Sequence, residues 1–248
     1  GSFALAGSSA GASGMEAIVV RLRADGTADP AFGDNGVATL STGAGLRRAS
    51  VVGVTAAGQV VVGGNRGDDM IFAMRLTATG AFDSAYGTGG NLTIDPTMGA
   101  DTVVGGHLDS NGSLTISGAS DTPADAFVVR VSPAGGLDAA FGTGGIVRID
   151  VPPSPNGQDE GVHAERLGDG TVLLALRTEV PIRTTPFAGQ VVDHGGWARL
   201  GADGTPDAAF GSSGFSVPNR NGIPLADRPR AALRLPDGRL ILAGTSNG

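Results

Sequence analysis

The segment VVRLRADGTADPAFGDNG, from Val19 to Gly36, decides the fold, because its pattern returns three more times along the chain. AMRLTATGAFDSAYGTGG starts at Ala73, VVRVSPAGGLDAAFGTGG at Val128 and WARLGADGTPDAAFGSSG at Trp197. The arginines Arg21, Arg75, Arg130 and Arg199 are spaced by 54, 55 and 69 residues. Eight residues after each stands an aspartate: Asp29, Asp83, Asp138 and Asp207. Three further on comes an aromatic (Phe32, Tyr86, Phe141, Phe210), followed at once by Gly33, Gly87, Gly142 or Gly211. Matches at four coupled positions in four places define an internal repeat, and a period of this length marks a propeller, a solenoid or an array.

A second unit recurs between these anchors: SVVGVTAAGQVVVGG, VVGGHLDSNGSLTISG, VHAERLGDGTVLLAL and RAALRLPDGRLILAG. Each is an apolar run, a turn ending in glycine and a second run rich in Val, Leu and Ile, which is the pattern of a β-hairpin. Gly58, Gly112, Gly170 and Gly238 supply the positive φ such turns need. A third strand carries the arginine, and a fourth follows the FGxxG segment (GVATLS, GNLTID, GIVRID, GFSVP). The expectation is an all-β, β-propeller-type domain of four four-stranded blades. A β-solenoid, or a fragment of a longer repeat array, is the competing reading. No stretch keeps the 3.6-residue apolar period of a helix.

The repeats fall at 15–69, 70–125, 126–190 and 191–248 of a single domain covering 1–248, with 1–14 as an extra strand. SFALAGSSAG near one end matches RLILAGTSNG near the other. Closure by combining the chain ends would complete the last hairpin, Arg230 to Thr245, with Ala17–Leu22 and Gly36–Ser41. That leaves Phe3–Ala6 as a spare edge, available for self-association through the N-terminal strand.

Composition narrows the function. Of 248 residues 43 are glycine, which suits many tight turns, and no cysteine is present to form disulfides or thiolate metal sites. The net charge of −7 argues against a nucleic-acid partner. No apolar run approaches the roughly 20 residues that span a bilayer, so membrane insertion is not expected, and the first residues carry no leader pattern.

The R-x(7)-D-x-x-F-G unit, with its DG-type hairpin turn, resembles the delta-60 repeat family over nearly the whole chain. The resemblance implies a bacterial protein that is secreted or displayed at the cell surface, and it implies no particular activity. The strand order is similar to that of NHL-type propeller repeats.

The recurring residues read as framework. Asp-x-x-Phe/Tyr-Gly is expected to form a one-turn helix closed by a left-handed glycine, with the aromatic buried between blades. Each arginine should brace its own aspartate or the turn of a neighbouring blade. Calcium at the Asp-Gly turns is disfavoured, because each offers one or two carboxylates where calcium needs six to eight oxygens. No metal and no cofactor are expected.

Residues that break the repeat need another reason. Five positions before the hairpin glycine stand Gly53, His107, Glu165 and Leu233; seven before it stand Val51, Gly105, His163 and Ala231. The second and third copies thus carry a polar set, His107, Asp109, His163, Glu165 and Arg166, as the candidate ligand-binding residues. The long third interval adds Asp150–Gly161 and Arg177–Gly196 as irregular insertions beside it. With no G-x-S-x-G elbow, H-E-x-x-H pair or P-loop, no catalytic residue is assigned. The expected function is a binding module for a glycan, a peptide or a partner subunit. A structural assembly subunit and a hydrolase or lyase with a channel-mouth site are the alternatives.

Overall fold

A computed structural model describes residues 2–11, 14–40, 45–97, 99–121, 125–152, 157–181, 191–217, 226–235 and 239–247. The described residues form seventeen strands and no helix. The first sheet contains β1 (Phe3–Gly11), β2 (Gly14–Leu22) and β3 (Val37–Leu40). The second contains β4 (Leu46–Val54), β5 (Val60–Arg66), β6 (Ile71–Leu76) and β7 (Asn91–Ile94). β8 (Asp101–Leu108), β9 (Leu114–Ser120), β10 (Ala126–Val131) and β11 (Ile146–Ile149) make the third. β12 (Asp159–Arg166), β13 (Val172–Pro181), β14 (Val191–Leu200) and β15 (Phe215–Ser216) make the fourth. β16 (Ala226–Arg234) and β17 (Leu240–Asn247) pair as a hairpin.

Each sheet is an antiparallel meander, as the hairpin pattern required. Gly58, Gly112 and Gly170 take positive φ at the hairpin turns, while Gly238 lies outside the described residues. The first strands lie side by side in sequence order, β4 by β8, β8 by β12 and β12 by β16.

Three apolar clusters fill the spaces between successive sheets. Phe32 and Leu40 meet Val60, Phe72 and Met74 between the first and second. Ile71 and Tyr86 meet Ile116, Phe127 and Val129 between the second and third. Val128 and Phe141 meet Leu174, Leu176 and Leu200 between the third and fourth. Alternate residues of β6 and β10 serve the clusters on their two sides, which is why both strands are apolar but for Arg75 and Arg130.

Three sheets are the four-stranded units that the repeat predicts. The ends depart from the merged blade: β2 is paired on one side with β1 and on the other with β3, so its edge is not open to β17. β1 is therefore the second strand of its own sheet, not a spare. The 177–196 insertion also differs from an irregular loop. It prolongs the β13–β14 hairpin, whose pairing continues from Leu176–Gly196 to Pro181–Val191. Its tip, 182–190, and residues 153–156 of the other insertion lie outside the described residues.

Candidate functional site

The recurring segment builds one joint between neighbouring sheets, and it does so by simple chemistry. Asp29 Oδ1 accepts the Ala31 N–H at 3.1 Å, and its Oδ2 accepts Arg21 Nε at 2.8 Å. Both donors hold the Asp29 carboxyl below the usual carboxylate range, the Ala31 amide most strongly. The Arg21 guanidinium lies over the Phe32 ring, 4.7 Å from its centroid. Its Nη1 then reaches the Ala78 carbonyl of the next sheet at 2.6 Å, and the Gly33 N–H donates to Thr79 O at 2.9 Å.

Arg75 and Gly87 repeat the joint on Pro133 O and Ala134 O; Arg130 and Gly142 repeat it on Ala202 O and Asp203 O. The segment is a hydrogen-bonded turn, Phe32 N–H to Asp29 O, and not the helical turn expected. Gly33, Gly87, Gly142 and Gly211 close it with φ of 54–55°. The braced arginines and the buried rings Phe32, Tyr86 and Phe141 agree with the reading of the repeat. Phe210 does not: it is only half-buried, and no turn of the described residues covers it.

The polar set lies on and just after the first strands of the third and fourth sheets. His107 on β8 is exposed, while His163, Glu165 and Arg166 on β12 are half-buried. β8 and β12 approach so closely that a Cβ on Gly105 would collide with the Val162 carbonyl oxygen. Both strands carry a bulge there, between Val103 and Gly105 and between Gly161 and His163.

Asp109 opens the turn that follows β8. Its side chain is only 10% exposed and stands 3.9 Å from Arg166 Nη1. The carboxyl oxygen Oδ2 is buried without a hydrogen bond. Burial pushes this carboxyl up, against the pull of His107, Arg166 and Arg130, and Glu165 adds to the rise. Burial likewise pushes the His163 imidazole down, with His107 reinforcing and Glu165 opposing. The charges of the other members thus reach Asp109 and His163, and Asp109 and Arg166 form a long ion pair. Among the described residues no group of three or more His, Asp or Glu is placed to hold a metal.

Other polar groups escaped the sequence reading. Asp101 and Asp159 open β8 and β12 and are buried, Asp101 accepting from the Thr97 hydroxyl and Asp159 from the Val151 N–H. A cavity of about 460 Å³ between the second and third sheets is lined by Asp68, Asp69, Asp95 and Asp121. Asp68 is paired with Arg66 at 2.9 Å, and Asp121 caps the Ala100 N–H. At the fourth and fifth sheets Asp193 joins Arg177 and Arg228. The Asp68–Asp69 doublet was a visible signal; the rest depends on strand ends that the sequence does not place.

Antiparallel sheets, a repeated turn and clusters between sheets define a β-propeller-type repeat protein. A family model described as "Domain of unknown function (DUF5122) beta-propeller" matches residues 4–32, which run from β1 through the Arg21–Phe32 turn. No curated protein matches. Among solved structures, the plexin A4 full extracellular region is similar at 11% identity and a TM-score of 0.46, over 88% of this chain and 25% of that one. Two structures of puromycin hydrolase are similar at 17% identity, with TM-scores of 0.39 and 0.37, over 92% of this chain and 37% of theirs. The chain therefore spans about a quarter to two-fifths of those molecules.

Proposed function

We propose that the chain is a binding module of the delta-60 repeat kind, secreted or displayed on a bacterial surface. Its ligand, a glycan or a peptide, is held at His107, Asp109, His163, Glu165 and Arg166. The observation that carries this reading is the polar set that breaks the repeat, with Asp109 3.9 Å from Arg166 and His163 and Glu165 half-buried on the adjoining strand. The neighbouring imidazoles and guanidinium add donors, and Glu165 a second acceptor, which suits hydroxyl-rich or peptide groups that offer both. The location is supported by the family resemblance and by a cysteine-free sequence suited to oxidising surroundings.

Screening the protein on glycan and peptide arrays tests the reading. A specific ligand should emerge, and Asp109→Asn and His163→Ala should each weaken it by more than about tenfold, while Asp34→Asn should not. Arrays without a hit, or variants that bind as the parent does, would overturn it.

A further inference from the structure

The hairpin glycines Gly58, Gly112 and Gly170 align the second, third and fourth sheets, and the alignment singles out one interface. Three residues after these glycines stand Val61, Thr115 and Leu173, so the third sheet alone carries a hydroxyl there. Thr115 on β9 lies directly opposite His107 on β8 and Arg130 on β10, and the three share one face. That face meets the fourth sheet, since Val128, two residues before Arg130, packs in the cluster with Leu174. From the other side, Arg166 pairs in register with Val172 of the same cluster, and therefore faces the third sheet.

Between the second and third sheets the corresponding places are apolar. Leu108, the counterpart of Arg166, packs so closely on Gly53, the counterpart of His107, that a Cβ on Gly53 would collide with it. One interface further along, His107 and Arg166 take these two places, and Asp109 stands 3.9 Å from the guanidinium. Exposure falls inward through this polar crevice. His107 is exposed, the side chains of Arg166 and Asp109 are 33% and 10% exposed, and Thr115 is fully buried. Thr115 Oγ1 makes no hydrogen bond with any described residue. A buried hydroxyl in that state carries a desolvation cost, which a hydrogen bond to a ligand would offset.

We propose that Thr115 is a further ligand-binding residue, and that the ligand is a sugar whose hydroxyls enter between His107 and Arg166 to reach Asp109 and Thr115. The inference rests on the reading of the polar set as a binding site. Each sugar hydroxyl both donates and accepts, so a neighbouring pair can donate to Asp109, accept from Arg166 and share a hydrogen bond with Thr115. An extended peptide binds instead by adding to a strand edge. The edges of β8 and β12 are closed on each other here, because a Cβ on Gly105 would collide with the Val162 carbonyl oxygen. Thr115 is covered in the free protein, so the exposed His107 side chain moves aside as the sugar enters.

Titrating the full chain with D-glucose, D-galactose, D-mannose and N-acetyl-D-glucosamine, followed by saturation-transfer NMR and calorimetry, tests this. At least one sugar should bind. Thr115→Val keeps the shape of the side chain and removes the hydroxyl. It should weaken that sugar by more than about tenfold and raise the melting temperature of the free protein by about 2–4 °C. Thr115→Ser, which restores a hydroxyl, should bind within about threefold of the parent. A hydroxyl with a purely structural role would shift the melting temperature and leave the affinity alone, and that result overturns the proposal. A parent that binds none of these sugars overturns it as well; if such a parent binds an array peptide through Asp109, the binding-module reading stands without it. Sugar binding that survives both Asp109→Asn and Thr115→Val removes the two together.

Discussion

Tyr86 occupies, in the second copy of the repeat, the place that phenylalanine fills in the other three. Its ring is buried under Gly135, and its hydroxyl is buried without a hydrogen-bond partner. Burial accordingly pushes the phenol well above its ordinary value. Removing an unpartnered hydroxyl from such a site relieves a desolvation cost, so Tyr86→Phe should raise stability by about 1 kcal/mol in urea unfolding. A loss instead would show that the hydroxyl finds a partner. Asp159 makes the complementary case for charge. Burial, reinforced by Asp150 and Asp125, lifts its carboxyl from 3.8 to about 6. The native state therefore binds this proton more tightly than the unfolded chain. The resulting stability is full below about pH 4 and is lost as pH rises through about 6, with a limit of about 3 kcal/mol. Asp159→Asn keeps an acceptor for the Val151 N–H and has no charge to bury. Melts across this range should show a flatter pH profile and a more stable protein at neutral pH; an unchanged profile would refute the assignment. Asp101, Asp109 and Asp125 are raised in the same direction by burial, so a residual slope should remain. At this scale the framework residues were legible because they recur at fixed spacing. Asp159 was not, since nothing in its own sequence neighbourhood announces that β12 begins there, against the third sheet.

Strand glycines set the limits at the scale of elements. Each filled first strand is bulged, and the bulge drives a carbonyl into the space where the second strand would carry a Cβ. On Gly118 that Cβ would meet both the Thr102 carbonyl and the tip of the Phe127 ring. Gly118→Ala should therefore cost about 3 kcal/mol, through displaced backbone. Gly7→Ala, in the same position of the uncovered β1, should change the stability of a dilute sample by less than about 0.5 kcal/mol. Equal effects in denaturant titrations would mean that the bulge does not impose the glycine. The sequence showed the turn glycines because they interrupt apolar runs. It hid these others, for a glycine inside a strand reads only as weakness until the opposite backbone is in place. The extra length of the third interval marks Arg177–Gly196 as an insertion but not its form: the pairing of β13 and β14 carries through its base.

Across the whole molecule, stability is distributed over contacts between neighbours, as in other repeat proteins. Phe141→Ala should cost about 3–5 kcal/mol, because its ring is fully buried between the third and fourth sheets. Phe210→Ala should cost less than about half of that in dilute solution. Comparable losses in urea unfolding would show that Phe210 is covered after all. The repeat pattern assigned these two rings one role, since a linear match counts residues and not the sheet that comes next. The acceptors were invisible for a deeper reason: every residue has a carbonyl, and Ala78, Pro133 and Ala202 share no side chain that could mark them.

That indifference of the acceptor to its side chain bears on how such a protein can grow. One half of every joint is Arg, Asp, an aromatic and Gly within a single repeat; the other half is bare main chain in a glycine turn. A duplicated unit therefore carries a complete plug and a complete socket, and needs no compensating change in the units it lands between. Gene duplication or loss of whole units leaves the remaining junctions chemically unaltered, and the turn residues are free to drift as long as the chain keeps its course.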